Sequence, residues 1–501
     1  MNPSFPNIPI QTPLQPTLAQ QKPRFPKWVT DITVVVFLLS FGLCIAVYGY
    51  PMELRYATIS ILSVLVFFFG GQQLLRSIGG FRNQVFIRNV FWIGLIVHLV
   101  WVFYCFFYFN VDYYGNTYGD GADVEWYIPF AYDIRDWVLG GFQRSFEELR
   151  VVNGSNIDDC GYPLWLSVGY LIWGNWGDMG KVLIPMIIKC IVTTYSAILI
   201  YRIGQRHFEE GVARLACIFV ALNPNMIYWC GTMFKEPELV FLCCLYVNEM
   251  DKVLGRSQRA TINTILPAIL VGLYLFLFRT ALGLVAMAAP LVHIVFASRK
   301  IMSGGKKVLM GIFMVLFLAI GMGDSLTSKA HDTVDAVRGG QQQVNMEWRS
   351  QRKGGNSFAK YASAAVFAPM IFALPFPTFN QALDSQVLQA MLSGGSFIKN
   401  VFSFFVVLSL AILLFSGKWR SHVFLIAFMC GYLAALVLSS FAQSGRFHMP
   451  IMPFLMLFAA YGISLVDKHK KWRSWYGLFL AAEVFICLTW NYFKLAGRGM
   501  I

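Results

Sequence analysis

Three groups of charged side chains have the residue types needed for chemistry on an anionic substrate. The first is an acidic segment, residues 110–160, which has ten acids and three arginines and therefore a net charge of −7. The others are the Lys235-Glu236 step and the Arg446-x-His448 step, both of which interrupt hydrophobic runs. A carboxylate can act as general base toward a hydroxyl group, and lysine or arginine can bind a phosphate. Together they predict acid–base chemistry beside a bound phosphate.

Each group also has a purely structural interpretation. Acids in a loop outside the membrane are usually just solvated. A Lys-Glu step at a helix turn is usually a local ion pair or cap. An arginine beside a membrane often extends to the lipid headgroups. Taken singly these signals are weak, and it is their predicted placement on one face of the protein that favours a functional site.

The composition predicts a helical membrane protein. Of the 501 residues, 57% are hydrophobic and 13% are charged, whereas about 25% of a soluble domain is charged. The apolar runs continue for about 20 residues instead of alternating, which favours helices over a β-barrel. The basic residues are dispersed among short loops. The net charge of +14 therefore predicts contact with anionic membrane lipids and not with nucleic acid.

The distribution of charge predicts which loops face the cytoplasm. With the N-terminus inside, every predicted cytoplasmic loop is basic, as the positive-inside rule requires. The acidic segment and both charged steps then lie on the extracytoplasmic face. Segments 161–174 and 361–376 are predicted to be interfacial rather than crossing, and if either one crosses, the sides of the later loops are exchanged. The thirteen predicted crossings are 29–49, 57–75, 89–109, 181–201, 211–229, 237–250, 263–279, 281–297, 308–324, 397–416, 421–441, 448–466 and 474–492.

The predicted organisation has four parts. Residues 1–27 carry seven prolines and no acid, which predicts a disordered cytoplasmic tail. Residues 28–324 form an N-terminal transmembrane module that includes the acidic outer loop. Residues 325–396 form an outer-face loop with an interfacial segment, and residues 397–501 form the C-terminal transmembrane helices.

Four motifs fall at these positions. The acidic segment contains Asp-x-x-x-Tyr-x-x-x-Ala, formed by Asp123, Tyr127 and Ala131, and the run GYPLWLS follows it. The third motif is the Lys-Glu turn, and the fourth is GRFHMPIMP at residues 445–453. In these motifs the chain resembles the C-type (GT-C) membrane glycosyltransferases, the superfamily of protein mannosyltransferases and of the lipid A aminoarabinose transferase. The likeness covers about residues 85–465.

The resemblance implies a reaction and a location. The donor would be a sugar linked to a polyprenyl phosphate, and the acceptor a glycan, a lipid or a protein. Transfer would occur on the outer face of the bacterial inner (plasma) membrane, with inversion at the anomeric carbon. The chain departs from the superfamily in two respects, because two extra spans precede the acidic loop and because the Lys-Glu step stands where many relatives have Asp.

The same resemblance assigns roles to residues. Asp123 is predicted to be the base, with Asp120 as its alternative or partner. A phosphate leaves readily, so no general acid is needed. Lys235, Arg446 and Arg279 are predicted to neutralise the departing lipid phosphate, although Arg279 is equally well interpreted as an interface anchor.

The remaining candidates have supporting roles. Glu236 either orients the preceding lysine or binds a divalent cation, Mg²⁺ or Mn²⁺, and no other cofactor is predicted. Tyr127 and His448 are predicted to support the site. Segments 161–174 and 361–376 would hold the polyprenyl chain.

Two other functions use some of the same residue types. A polymerase or ligase of lipid-linked polysaccharide also works on the outer face with arginines and lipid phosphates, but it joins preassembled glycans. A transporter or flippase of a lipid-linked glycan would place ionisable groups near the membrane midplane and often shows inverted repeats. No convincing repeat is present, and few ionisable residues fall within the predicted spans: Lys189, His98, His293 and Glu483.

Overall fold

The structure is a computed structural model. It describes residues 25–49, 52–110, 123–153, 159–174, 176–177, 179–255, 262–296, 364–380, 387–439 and 441–501, together with residues 347, 350, 351 and 357. Most of the predicted tail, the predicted crossing 308–324 and Asp120 lie outside the described residues. The described part of the chain is all-helical and contains no strand.

The helices follow the apolar runs of the sequence. In chain order they are α1 (Lys27–Tyr48), α2 (Leu54–Ile78), α3 (Asn83–Phe109), α4 (Val124–Leu139), α5 (Phe146–Val152), α6 (Gly161–Trp173), α7 (Met179–His207), α8 (Glu210–Ala221), α9 (Pro224–Cys230), α10 (Glu236–Leu254), α11 (Ile262–Phe278), α12 (Thr280–Phe296), α13 (Gln389–Phe415), α14 (Val423–Leu438), α15 (Gly445–Lys468) and α16 (Lys471–Gly497).

The predicted class, a helical membrane protein with several crossings, agrees with the length and composition of these helices. Within the described ranges, seven helices are long and apolar enough to cross a membrane, and an eighth is obtained if the bent pair α8–α9 forms one span. Three shorter helices are also apolar: 265–278, α12 and α14. The thirteen predicted crossings are not confirmed. The predicted crossing 237–250 falls in α10, where five of nineteen residues are charged.

Proline and asparagine explain the break between α8 and α9. Pro224 has no amide hydrogen to donate to a helical hydrogen bond, and it lies in the first turn of α9, where that donor is not needed. Asn223 caps the new helix, because its side-chain oxygen accepts from the Asn225 amide at 3.0 Å. The two helices meet at an angle of 41°. This break brings the chain into the turn that precedes α10.

Contacts between helix ends define one end of the bundle as basic. Arg214 in α8 donates to the carbonyls of Gly79 and Phe81, at 2.6 and 2.8 Å. Arg206 near the end of α7 pairs with Asp251 near the end of α10 at 2.5 Å. These helix ends are the ones predicted to face the cytoplasm. Glu236, the first residue of α10, lies at the opposite end of that helix from Asp251.

The start of α13 differs clearly from the prediction. The helix predicted to begin at residue 397 begins at Gln389 instead, so part of the predicted outer loop belongs to α13. The predicted interfacial segment 161–174 is the 13-residue helix α6. A rise of about 1.5 Å per residue makes α6 roughly 20 Å long, shorter than a hydrocarbon core of about 30 Å. α6 packs beside α4, the other helix of the acidic segment.

Candidate functional site

The charged candidates meet where the N-terminal ends of several helices converge. Asp123 directly precedes α4, Lys235 precedes α10, and Arg279 is the single residue between α11 and α12. Arg446 lies in the first turn of α15, and Asp159 lies two residues before α6. The aligned peptide dipoles of a helix place partial positive charge at its N-terminus. The electrostatic environment therefore favours negative charge at this end of the bundle.

Glu236 lies at the centre of this cluster. Its side chain is completely buried, and its Oε1 accepts a hydrogen bond from Arg446 Nε at 2.6 Å. The same oxygen is 3.5 Å from Arg279 Nη2. Burying a carboxylate is costly unless it is paired, and these two arginines supply that pairing. Its second oxygen, Oε2, has no hydrogen-bond partner among the described residues.

Arg446 connects the buried carboxylate to a half-exposed one. Its Nη2 lies 2.6 Å from Oδ2 of Asp123, whose side chain is 40% exposed. The guanidinium stacks over the ring of Phe234 with 4.3 Å to the centroid, a cation–π contact that helps to fix its plane. Asp123 thus faces water on one side and a fixed cation on the other.

Lys235 forms a second ion pair beside the first. Its ammonium group contacts the Asp159 carboxylate and donates to the Phe278 carbonyl at 3.0 Å. The Lys235 side chain is 4% exposed and that of Asp159 is 41% exposed. Burial lowers the pKa of Lys235, and Asp159 opposes that shift. The arrangement again joins a buried cation to a carboxylate at the rim.

Arg279 is held by an aromatic environment. Its Nη1 donates to the Tyr432 hydroxyl at 2.9 Å, and its guanidinium lies 4.3 Å from the centroid of the Phe447 ring. Together with the pairing to Glu236, these contacts direct Arg279 into the cluster. Its interpretation as an ordinary lipid-headgroup anchor is therefore not needed to explain its position.

Tyr127 forms part of the wall of the cluster. Its ring is buried and packs edge-to-face against Tyr162, with 5.1 Å between the centroids. The ammonium group of Lys235 lies 5.9 Å from the Tyr127 ring centroid. Burial, followed by the charge of Asp123, raises the pKa of Tyr127. The hydroxyl therefore stays protonated and remains a hydrogen-bond donor.

A second buried pair supports the turn that carries Lys235. Lys189 in α7 contacts the carbonyl of Phe234 and lies 3.5 Å from Oε2 of Glu238. Its ammonium is also 4.8 Å from the centroid of the Tyr162 ring. Both charged side chains are buried. Lys189, considered from sequence as a transport residue, thus fixes the backbone next to the site.

A close helix contact brings α6 to the end of α11. A side-chain methyl built on Gly161 would lie 2.8 Å from the carbonyl carbon of Leu277, so only glycine fits there without displacement. Tyr274 donates to the Gly161 carbonyl at 2.9 Å. This approach positions Asp159, just before α6, against the lysine that contacts Phe278.

His448 has partners other than the cluster residues. It is completely buried, with Nδ1 at 2.8 Å from Lys399 Nζ and Nε2 at 2.8 Å from the Ala442 carbonyl. The physical reason is helical geometry, because residues two apart on a helix do not face each other. His448 is two residues beyond Arg446, so its predicted supporting role gains no contact in the structure.

The structure joins four of the eight predicted site residues in one set of ion pairs: Asp123, Glu236, Arg279 and Arg446. Lys235 precedes Glu236 in the chain, pairs separately with Asp159 and lies near the Tyr127 ring, and Asp120 lies outside the described residues. Sequence reasoning did not single out Asp159, Glu238, Phe234 or Tyr162. Glu238 was detectable as the last residue of the KEPE run, where it shares the first turn of α10 with Glu236.

Carboxylates of the cluster pair with cations and not with each other. Within the described ranges, no group of three His, Cys, Asp or Glu side chains is arranged to hold a metal ion. Glu236, the residue considered as a cation ligand, forms ion pairs with Arg446 and Arg279.

No protein-family model matches the chain, and neither a curated protein nor a solved structure is detectably similar to it. The chemistry of the site therefore rests on its own geometry. It offers two half-exposed carboxylates, Asp123 and Asp159, each paired with a cation, and a third cation, Arg279, beside the buried Glu236.

Proposed function

We propose that the protein is a membrane glycosyltransferase that uses a sugar donor linked to a polyprenyl phosphate. The observation that carries this proposal is the contact between Asp123 and Arg446 beside the buried Glu236. It joins a candidate base to a candidate phosphate ligand from a distant part of the chain. Such a pairing is what transfer of a glycosyl group from a phosphate to a hydroxyl requires.

Asp123 would act as the base. It takes the proton of the acceptor hydroxyl while the acceptor oxygen forms a bond to the anomeric carbon of the donor. The bond between that carbon and the phosphate oxygen breaks, and the electron pair leaves with the phosphate as polyprenyl phosphate. The partial exposure of Asp123 supports this role, since an acceptor must reach the carboxylate from the water-filled side.

Lys235, Arg279 and Arg446 would bind the departing phosphate. Negative charge grows on this group as the glycosyl bond breaks, and fixed cations stabilise that charge in the transition state. The convergent helix N-termini add to the same field. The aromatic rings against Arg279 and Arg446 restrict the guanidinium groups before substrate arrives, which avoids part of the ordering cost of binding.

Transport is the weaker alternative. Transporters carry their functional ionisable groups near the membrane midplane. Here Lys189 contacts Phe234 and Glu238 beside the cluster, and His98 places Nδ1 2.8 Å from the Gly94 carbonyl of its own helix. Both contacts support structural roles for these residues.

The proposal predicts that Asp123→Asn abolishes transfer without unfolding the protein. Removing a general base typically lowers the rate by about 100-fold or more. The measurement is single-turnover transfer in proteoliposomes from decaprenyl-phosphate sugars, tested as a panel of glucose, mannose, galactose and arabinose donors. Detergent extraction and melting temperature report on folding.

Glu125→Gln is the matched control, because Glu125 is exposed and lies two residues further along. This control should transfer sugar at the parent rate. Normal turnover by Asp123→Asn would remove Asp123 from the reaction. Transfer from lipid-linked oligosaccharides, with none from the monosaccharide donors, would indicate the polymerase or ligase instead.

A further inference from the structure

Two carboxylates at the rim of the cluster form ion pairs with cations that would otherwise bind a phosphate. Asp159 pairs with Lys235, and Asp123 pairs with Arg446. Their side chains are 41% and 40% exposed, whereas that of Glu236 is completely buried. The rim carboxylates can turn to water when a phosphate takes their place, because the side chains of Lys235 and Arg446, 4% and 18% exposed, then keep an anionic partner. Removing Glu236 would leave buried guanidinium charge without a partner.

The charges of the cluster make such a displacement necessary. Three cations are balanced by three carboxylates among the described contacts, so an arriving phosphate would meet no net positive charge. Like charges brought close together oppose binding. An anionic headgroup therefore binds well only after a rim carboxylate has moved away from its cation. The cations involved are Lys235, Arg279 and Arg446, and the carboxylates are Asp123, Asp159 and Glu236.

We infer that Asp159 competes with the lipid phosphate for Lys235. Asp159 leaves the lysine when the phosphate binds, and its return later helps to expel the phosphate. This inference rests on the proposed function and assigns a positioning role that the sequence did not suggest. In the structure Asp159 neutralises Lys235. When the donor binds, its phosphate takes over the lysine, and Asp159 turns to water.

Competition from Asp159 matters more for release of the product than for binding of the donor. The phosphodiester of the donor carries one negative charge, whereas the phosphomonoester left after transfer carries about −1.5 to −2. The product therefore binds the cations of the cluster more tightly than the donor does. The return of Asp159 to Lys235 would favour its release. Asp159 would thus weaken donor binding slightly and accelerate turnover.

The test is direct binding of farnesyl phosphate to the full-length protein in nanodiscs, with farnesol as the uncharged probe. We expect Asp159→Asn to bind farnesyl phosphate about three- to tenfold more tightly than the parent, because the carboxylate that competes for Lys235 is lost. Binding of farnesol should not change. Asp133→Asn changes the net charge by the same amount at an exposed position. It should leave the affinities for farnesyl phosphate and for farnesol unchanged.

A second variant separates competition from a general change in charge. In a Lys235→Gln background, Asp159→Asn should no longer change the affinity for farnesyl phosphate. If Asp159→Asn does not yield folded protein by melting temperature, Asp159→Ser takes its place in both comparisons. Equal or weaker binding by the Asp159 variant, or an equal gain in the Lys235→Gln background, would overturn the inference.

These binding measurements need no sugar transfer. Tighter binding by the Asp159 variant would stand even if Asp123→Asn retained activity and the proposed function failed. Where transfer is measurable, Asp159→Asn should lower both KM for the donor and kcat. A purely structural role for Asp159 would not produce that combination.

Discussion

At the scale of single residues, Arg446 decides how the cluster is connected. One guanidinium donates to a buried carboxylate through Nε and to a half-exposed carboxylate through Nη2. The planar group of arginine can make both bonds at once in fixed directions, whereas lysine offers a single point charge. The bridge therefore depends on the shape of the side chain as well as on its charge.

Arg446→Lys should consequently weaken donor use while preserving the positive charge. We expect KM for the polyprenyl-phosphate donor to rise about tenfold, corresponding to the loss of one charge-assisted hydrogen bond of about 1.4 kcal/mol. Initial transfer rates at varied donor concentration measure this KM. Arg420→Lys, at an exposed position on the basic end of the bundle, serves as the control. An unchanged donor KM in Arg446→Lys would assign Arg446 to structure alone.

Sequence alone located some of these residues because charge interrupts apolar runs at Lys235, Arg279 and Arg446. It did not find their partners. Asp159 is one of ten acids in its segment, and only the packing of α6 against α11 selects it. That His448 contacts partners other than the cluster residues was foreseeable, since residues i and i+2 of a helix do not face the same neighbour.

At the scale of elements, the position of Arg446 depends on how α15 packs. This helix lies against α13 and α8, and most of its length is buried. Gly462 allows α15 to approach α13 closely, because a methyl group built on this glycine would overlap the backbone carbonyl of Phe405 in α13. Backbone atoms cannot move aside as a flexible side chain can. A larger residue would displace α15 and, with it, the guanidinium at its start.

Gly462→Ala should therefore destabilise the protein in spite of the higher helix propensity of alanine. Overpacking of a tight interface typically costs about 1–3 kcal/mol, against about 1 kcal/mol gained in propensity. Gly477→Ala is the matched control, because no atom lies within 4 Å of the added methyl. Thermal unfolding in detergent compares the two. A Gly462→Ala protein as stable as the Gly477→Ala protein would show that the α13–α15 contact is not tight.

The existence and approximate bounds of these helices could be predicted, because long apolar runs are strong local signals. The number of crossings could not. α10 packs against α7 and α11 and carries charge at both ends, so the hydropathy of its sequence does not distinguish a span from a buried helix. The bend between α8 and α9 arises at Pro224.

At the scale of the whole molecule, the two ends of the bundle have different chemistry. One end joins basic loops through Arg206 and Arg214, and the other holds the cluster around Glu236. The positive-inside rule predicts that the basic end faces the cytoplasm. The cluster would then open to the extracytoplasmic side, where a lipid-linked sugar donor is used.

Thiol labelling of intact cells tests this orientation. Glu125→Cys near the cluster should react with a membrane-impermeant maleimide, and Arg420→Cys at the basic end should react only after permeabilisation. Both positions are exposed. None of the ten native cysteines is fully exposed and nine are buried, so background labelling should be low. The reverse pattern would place the cluster in the cytoplasm and exclude chemistry on the outer face.

The most direct test is a cryo-EM map of the protein with a polyprenyl phosphate bound. The account predicts phosphate density within hydrogen-bonding distance of Arg446 and Lys235, with the carboxylates of Asp123 and Asp159 turned away from these cations. A phosphate located elsewhere, with both ion pairs intact, would contradict it.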